Sequence, residues 1–260
     1  MIRSSYSKLA VFFSLSFLIA WGTWIPTLLF PGFPKLFPLV GLFAPALAAL
    51  ITSWLSEGTS GMRKLLGRYL LLRFKVRLYA LAILFMPVVY LLAIVLNILF
   101  FHYTSPIWTN LPLYFIAASF IWLMVINSGE EIGWRGFALP VLLERMSPIT
   151  ASALLGTAWG LWHLPLYLMP GQSSFPYPLF LLLTIGLSFV YTFLFLNTKG
   201  SLLAAVLLHA GTDVGARIFQ LNYFTPLMYG TIDVLIFVTG ALLLYLGQLS
   251  RSRDIALREE

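Results

Sequence analysis

The stretch LPLYFIAASFIWLMVINSGEEIGWRG, residues 111–136, runs from a long apolar segment straight into a cluster of charged residues. A membrane helix needs about 20 predominantly apolar residues, which residues 111–126 with an extension through the glutamates provide. Ionisable side chains are costly in hydrocarbon and usually mark functional positions there. The stretch therefore predicts a membrane helix that carries a polar site near one end.

The composition of the whole chain agrees with a membrane protein. Of its 260 residues, 60% are hydrophobic and 10% are charged, and the mean hydropathy is +0.92. Soluble domains are about 45–50% apolar. The alternation of apolar and polar positions that barrel strands require is absent. We predict an all-α polytopic membrane helical bundle in which residues 1–260 form one membrane domain and residues 111–219 form the catalytic core.

About eight transmembrane helices are predicted from the apolar segments and the breaks between them. The predicted spans cover residues 8–30, 38–55, 78–101, 111–126, 149–168, 178–196, 201–219 and 229–249. If the N-terminus is inside, fourteen of the 16 Lys and Arg residues fall in inner segments, and only Lys35 and Arg217 fall outside. The positive-inside rule then predicts an even number of spans with both termini cytoplasmic.

The charge distribution and the lack of cysteine exclude some classes of protein. The net charge is +7, but six basic residues are concentrated in the short loop over residues 63–77 between apolar segments. That pattern is typical of loops beside anionic lipid and argues against nucleic-acid binding. The chain contains no cysteine, which excludes disulfides, thiolate catalysis and cysteine metal sites.

Three polar clusters lie inside the apolar segments, at residues 129–136, 159–163 and 209–213. In the first cluster, Glu131 precedes Arg135 by four residues, which is the favourable orientation for an ion pair on a helix. Glu130 lies about 100° around the helix from Glu131. We therefore expect Arg135 to neutralise Glu131 and leave Glu130 free for chemistry.

The other two clusters supply the histidines. Trp159 and His163 are four residues apart and can share one helix face, and Pro165 is expected to distort the backbone beside His163. His209 and Asp213 are also four apart. The Asp213 carboxylate could fix the tautomer of His209, or both residues could join Glu130 and His163 in binding zinc.

The remaining membrane-region polar groups are given no catalytic role. His102 is expected at an outer helix end, and Asp233 is expected in the first turn of the last helix, where a negative charge suits the helix dipole. The three clusters start at different predicted depths. Their convergence requires tilted helices, a later start of the fifth span, or a water-filled cavity open to the cytoplasm.

In this order and in apolar segments, the motifs Glu-Glu-x-x-x-Arg, aromatic-x-x-x-His and His-x-x-x-Asp resemble those of the CPBP/Abi family of intramembrane proteases, which includes the CAAX prenyl endoprotease. The resemblance covers about residues 129–213. It implies that the residue matching Glu130 activates water with the residue matching His163, and that those matching His209 and Asp213 bind the oxyanion. The prenyl endoprotease has asparagine at the last position, whereas an ionised Asp213 can only accept a hydrogen bond.

An intramembrane endopeptidase is the leading functional hypothesis, with catalytic residues Glu130, Glu131, Arg135, His163, His209 and Asp213. The favoured mechanism uses no cofactor, and zinc is the alternative. The expected partners are membrane lipid and a peptide or protein substrate that could be prenylated, with no nucleic acid. The expected location is the bacterial inner membrane. The competing hypotheses are a non-catalytic membrane scaffold or bacteriocin self-immunity protein, and a proton-coupled transporter.

Overall fold

The computed structural model describes residues 2, 4–30, 32, 34, 37–103, 108–169 and 175–259, with side chains described up to residue 247 of the last helix. Across these ranges the chain is helical and contains no strand, which confirms the predicted all-α class. The α-helices are α1 (Ser5–Leu29), α2 (Phe37–Leu42), α3 (Ala44–Gly67), α4 (Val76–Phe101), α5 (Leu113–Glu131), α6 (Leu139–Leu143), α7 (Pro148–Trp162), α8 (Leu164–Tyr167), α9 (Tyr177–Asn197), α10 (Leu202–Ile218) and α11 (Pro226–Glu259). A π-helical segment, Ile132–Ala138, joins α5 to α6.

Each of the eight predicted spans overlaps a long helix. Five segments in the described ranges are long and apolar enough to cross a membrane: Ser5–Leu29, Val76–Phe101, Leu113–Leu143, Tyr177–Asn197 and Pro226–Gly247. The other three predicted spans correspond to α3, which is kinked at Gly58, and to the shorter α7 and α10. The count of eight and the cytoplasmic position of both termini stay predictions.

Part of the charge pattern behind that topology falls on residues that the structure does not describe. Arg3 and Lys35 lie outside the described residues, as do the side chains of Arg251, Arg253 and Arg258. Residues 63–77 are described, but they are only partly a loop: α3 continues to Gly67, a 3₁₀ turn covers Arg68–Leu70, and α4 begins at Val76. We call this side of the bundle the basic end.

Helix α10 lies at the centre of the bundle. It packs against α4, α5 and α9, while α7 packs on α9, and α9 packs on α11. Gly211 allows α10 to approach α4 closely, because a Cβ at this position would lie 2.5 Å from the backbone oxygen of Ile83. Close packing through small residues is how membrane helices associate without a hydrophobic driving force.

The structure differs from the sequence-based expectations at the ends of two helices. The predicted span over 149–168 is not continuous: α7 ends at Trp162, and α8 begins at Leu164, just before Pro165, which cannot donate a helix hydrogen bond. The expectation that Asp233 lies in the first turn of the last helix is wrong. Helix α11 begins at Pro226, so Asp233 lies about two turns further in, where it is only 4% exposed.

Candidate active site

The buried ion pair predicted by the spacing of Glu131 and Arg135 is present. Arg135 Nη1 donates to Glu131 Oε1 over 2.9 Å, and the two side chains are 1% and 0% exposed. The same carboxylate oxygen lies 2.8 Å from Nδ1 of His209 on α10. Because an ionised carboxylate only accepts hydrogen bonds, His209 Nδ1 carries the proton of this contact. Glu131 thus joins the first and third polar clusters.

Two aromatic rings enclose the Arg135 guanidinium. Its central carbon lies 3.6 Å from the centroid of Tyr191 and 4.3 Å from that of Trp159. A desolvated cation over aromatic faces gains about 2 kcal/mol or more. This enclosure holds the positive charge of Arg135 beside Glu131, away from the carboxylate of Glu130.

The second glutamate makes a separate set of contacts with α7. Trp159 Nε1 donates to Glu130 Oε2 over 2.6 Å, and His163 Nε2 lies 3.9 Å from the same oxygen. His163 Nδ1 lies 2.9 Å from the backbone oxygen of Trp159, so this nitrogen carries the proton and Nε2 is free to accept. The break between α7 and α8 at His163 places the ring at the end of the helix, beside Glu130.

Asp213 does not serve as the partner of His209 that the four-residue spacing suggested. Its Oδ2 accepts a hydrogen bond of 2.8 Å from Asn127 Nδ2 on α5, whereas Nδ1 of His209 contacts Glu131. Within the described ranges, no hydrogen bond joins His209 to Asp213. The carboxylate that orients His209 is therefore supplied by α5, and Asp213 instead ties α10 to α5.

The shape of the chain around the glutamates depends on close backbone approach. A Cβ on Gly129 would lie 2.8 Å from the ring of Phe43 and 2.9 Å from the backbone oxygen of Leu42. A Cβ on Gly133 would overlap the backbone of Pro45. The wider π-helical turn begins directly after Glu131, and such turns are frequent at functional sites. Glycine and the π-helical turn together let α5 and its extension pack against the start of α3.

A cavity of about 780 Å³ opens beside the clusters. Trp159, His163, His209 and Asp213 line it, and so do Arg217, Leu221 and Asn222. Arg217 lies in the last turn of α10, and Leu221 and Asn222 follow that helix. Helix α10 runs parallel to α4 and away from the basic end, since Gly211 approaches Ile83 and Gly215 approaches Tyr90. Under the predicted orientation this is the outer side, which does not match a cavity open to the cytoplasm, one of the three arrangements that the predicted depths of the clusters allowed.

The donor atoms do not fit a zinc site. Zinc ligands bind at about 2.0–2.2 Å from the metal, and the described residues contain no group of three His, Asp or Glu side chains that could hold an ion. We therefore derive no step through a metal.

The structure brings together all six predicted site residues and adds three. Trp159 bonds Glu130 and contacts Arg135, Tyr191 also contacts Arg135, and Asn127 bonds Asp213. Asn127 precedes Glu130 by three residues and so shares its helix face, which was a usable signal. Tyr191 lies in the apolar span of α9, and nothing in its neighbouring sequence distinguishes it.

Known proteins resemble this chain over the same region. Residues 109–215 match the family model described as type II CAAX prenyl endopeptidase, Rce1-like. A protein named CAAX prenyl protease 2 from Methanococcus maripaludis is 26% identical over 233 residues, covering 83% of each chain. These similarities support an endopeptidase at the membrane and do not favour the scaffold or immunity alternative. The resemblance carried by the three polar clusters is confirmed: this integral membrane protein is similar to the Rce1-like CAAX prenyl endopeptidases.

Proposed function

We propose that this protein is an intramembrane endopeptidase that hydrolyses peptide bonds with a water molecule activated by Glu130 and His163. One observation carries the proposal: polar side chains from three separate helical segments meet beside one cavity, where His163 and His209 line the wall and Glu130 contacts Trp159 and His163 directly behind it. Glu130 and His163 are held by the same tryptophan, with 3.9 Å between Oε2 and Nε2. A water placed between two such atoms is within hydrogen-bond reach of both.

Glu130 acts as the general base and His163 orients the water. The lone pair on His163 Nε2 accepts one hydrogen of the water, while the Glu130 carboxylate takes the other proton as the oxygen attacks the peptide carbonyl. Glu130 then gives this proton to the amide nitrogen, the C–N bond breaks, and the products are a carboxylic acid, which passes its proton to the amine or to solvent, and the amine of the leaving peptide. Because Trp159 fixes both groups, their relative positions need little reorganisation during the reaction.

His209 stabilises the oxyanion from Nε2, with Asp213 supporting it. Since Nδ1 already donates to Glu131, Nε2 can donate only when the ring is an imidazolium. The carboxylates of Glu130, Glu131 and Asp213 outnumber the single guanidinium of Arg135, and this excess of negative charge favours the protonated ring. Asp213 thus contributes as a counter-charge one turn away and not as a donor.

The substrate we propose is a membrane-associated polypeptide, with a prenylated C-terminal CAAX peptide as the first one to test. The supporting observations are the name of the Methanococcus maripaludis relative and the apolar lining of the cavity, which includes Leu166, Phe180, Leu183 and Leu187. We place the protein in a bacterial inner membrane, on the basis of the positive-inside charge pattern. Residues 111–219 form the catalytic core within a single membrane domain, and the reaction uses no metal.

The test compares peptide termini in membranes that contain the wild type or Glu130→Gln. Glutamine keeps the shape of the side chain and cannot act as a base, so wild-type-specific termini should disappear. Glu144→Gln is the matched control, because Glu144 is exposed and bonds Ser5 on another part of the bundle. Mass spectrometry with and without a strong chelator reads both activity and metal dependence. Identical termini in wild-type and Glu130→Gln membranes would instead support a scaffold or immunity protein, and chelator sensitivity would reject the metal-free mechanism.

A further inference from the structure

We propose that Arg217 binds the C-terminal carboxylate of the substrate and thereby fixes which peptide bond reaches Glu130; this inference rests on the proposed endopeptidase function. Arg217 lies in the last turn of α10, is exposed and lines the cavity. No ion pair joins it to an acidic side chain among the described residues. A guanidinium is suited to a carboxylate because its planar N–H groups match two oxygens.

The charges along the cavity direct an anion to this position. Asp213 precedes Arg217 by four residues on the same face of α10 and lines the deeper part of the cavity, and its Oδ2 is drawn toward Asn127. A substrate carboxylate near Asp213 or Glu130 would be repelled, whereas one near Arg217 would be attracted. The polarity of the cavity therefore favours a peptide that enters with its C-terminal carboxylate at the rim.

Three hydrogen bonds attach the chain around Arg217 to two other parts of the protein. The amide of Thr109 donates to the Ile218 carbonyl over 2.7 Å, and Gln220 Nε2 donates to the Trp108 carbonyl over 2.5 Å. Tyr229 Oη donates to the Leu221 carbonyl over 2.5 Å. These contacts attach the end of α10 to the segment before α5 and to α11. The backbone at Arg217 is thus held at a fixed distance from the catalytic groups along α10.

The distance between His209 and Arg217 corresponds to a short length of extended peptide. His209 and Arg217 are eight residues apart on one helix, or about 12 Å at 1.5 Å per residue. An extended chain covers about 3.3–3.6 Å per residue, so about three residues separate the oxyanion position from the carboxylate at Arg217. Arg217 is therefore at the right distance to hold the carboxylate of a CAAX peptide whose scissile bond lies about three residues from its C-terminus.

The experiment uses two S-farnesylated CAAX pentadecapeptides that differ only in a C-terminal carboxylate or carboxamide. We expect wild-type protein to cleave the carboxylate form with a kcat/KM about tenfold higher, which corresponds to about 1.4 kcal/mol. Arg217→Gln should reduce this preference to less than about twofold. Arg63→Gln, an exposed change on α3 at the basic end, should keep the wild-type preference.

Binding to the Glu130→Gln protein separates this proposal from the endopeptidase proposal. Thermophoresis with the same peptides should show tighter binding of the carboxylate form and loss of that difference in Glu130→Gln/Arg217→Gln. Equal cleavage and equal binding of the two peptides by proteins with intact Arg217 would overturn the carboxylate site and leave the protease intact. Selective, Arg217-dependent binding without any cleavage by wild type would support the site and overturn the endopeptidase.

Discussion

The same substitution by glutamine should have different effects at the two adjacent glutamates: it should lower the stability of the protein at Glu131 and its peptidase activity at Glu130. Glu131→Gln removes the charge that faces Arg135 and His209 in a site where the ion-paired side chains are 0–1% exposed. Breaking a buried pair by changing one partner costs about 3–5 kcal/mol, since the other charge stays buried without compensation. Glu130→Gln keeps an oxygen that can accept from Trp159, and it leaves no guanidinium without its carboxylate.

These costs convert into a measurable difference in melting temperature. At about 2–4 °C per kcal/mol for a chain of this size, Glu131→Gln should melt roughly 6–20 °C below wild type, and Glu130→Gln should stay within about 4 °C of it. Thermal unfolding in detergent can be followed by the fluorescence of the eight tryptophans. In the peptidase assay, Glu130→Gln should lose about 10²- to 10⁴-fold in kcat, the range for removal of a general base.

A double variant tests the cause of the loss. The double variant Glu131→Gln/Arg135→Met has no buried guanidinium left without a counter-charge. Much of the lost stability should therefore return, because replacement of both partners of a buried ion pair is often neutral. Equal melting temperatures for Glu131→Gln and wild type would refute the structural role of the pair. A Glu130→Gln protein as unstable as Glu131→Gln would refute the division of labour between the two residues.

Three further outcomes are expected. Trp159→Phe keeps an aromatic ring beside Arg135 but loses the N–H bonded to Glu130, so kcat/KM should fall about 10- to 100-fold. An unchanged kcat/KM would contradict the proposal that Trp159 holds Glu130 in position beside His163. Asp233→Asn removes a carboxylate with neither oxygen bonded in the described structure and should raise the melting temperature by about 2–4 °C, the shift for 1 kcal/mol; a lower temperature would mean that Asp233 is ionised and has a partner. In this cysteine-free chain, Asn222→Cys should react with an impermeant maleimide added outside intact cells, and Arg63→Cys should not; the reverse result would invert the predicted topology.

The sequence was most informative where the interacting residues share a helix. The four-residue spacings of Glu131 with Arg135 and of Trp159 with His163 correctly predicted an ion pair and neighbouring rings. Hydropathy identified the long helices because burial in lipid imposes nearly the same apolar composition on each span. Both signals are local, so they depend little on how the helices are arranged.

Contacts between helices could not be read in the same way. His209 and Asp213 share a face, but spacing alone does not say whether a carboxylate or an amide from another helix reaches either of them. In the structure His209 contacts Glu131 and Asp213 contacts Asn127. The expected pairing of His209 with Asp213 is therefore absent. The sequence left the relative depths of the clusters open for a related reason: the break at His163 and the π-helical turn after Glu131 change the height and direction of side chains without altering hydropathy.

The π-helical turn makes the chain sensitive to its length at this point. Deleting one residue from Ile132–Ala138 would convert the wide turn into ordinary α-helix, and each residue of an α-helix turns the chain by about 100°. Because a π-helical turn holds about one residue more than an α-helical turn, α6 would keep nearly its present direction. A deletion between Glu131 and Arg135, however, would move the guanidinium by about 100° around the helix, away from Glu131 and the neighbouring rings. Insertions and deletions between these two residues should therefore be far more harmful than most substitutions, and relatives that keep both glutamates should keep the four-residue spacing to the arginine.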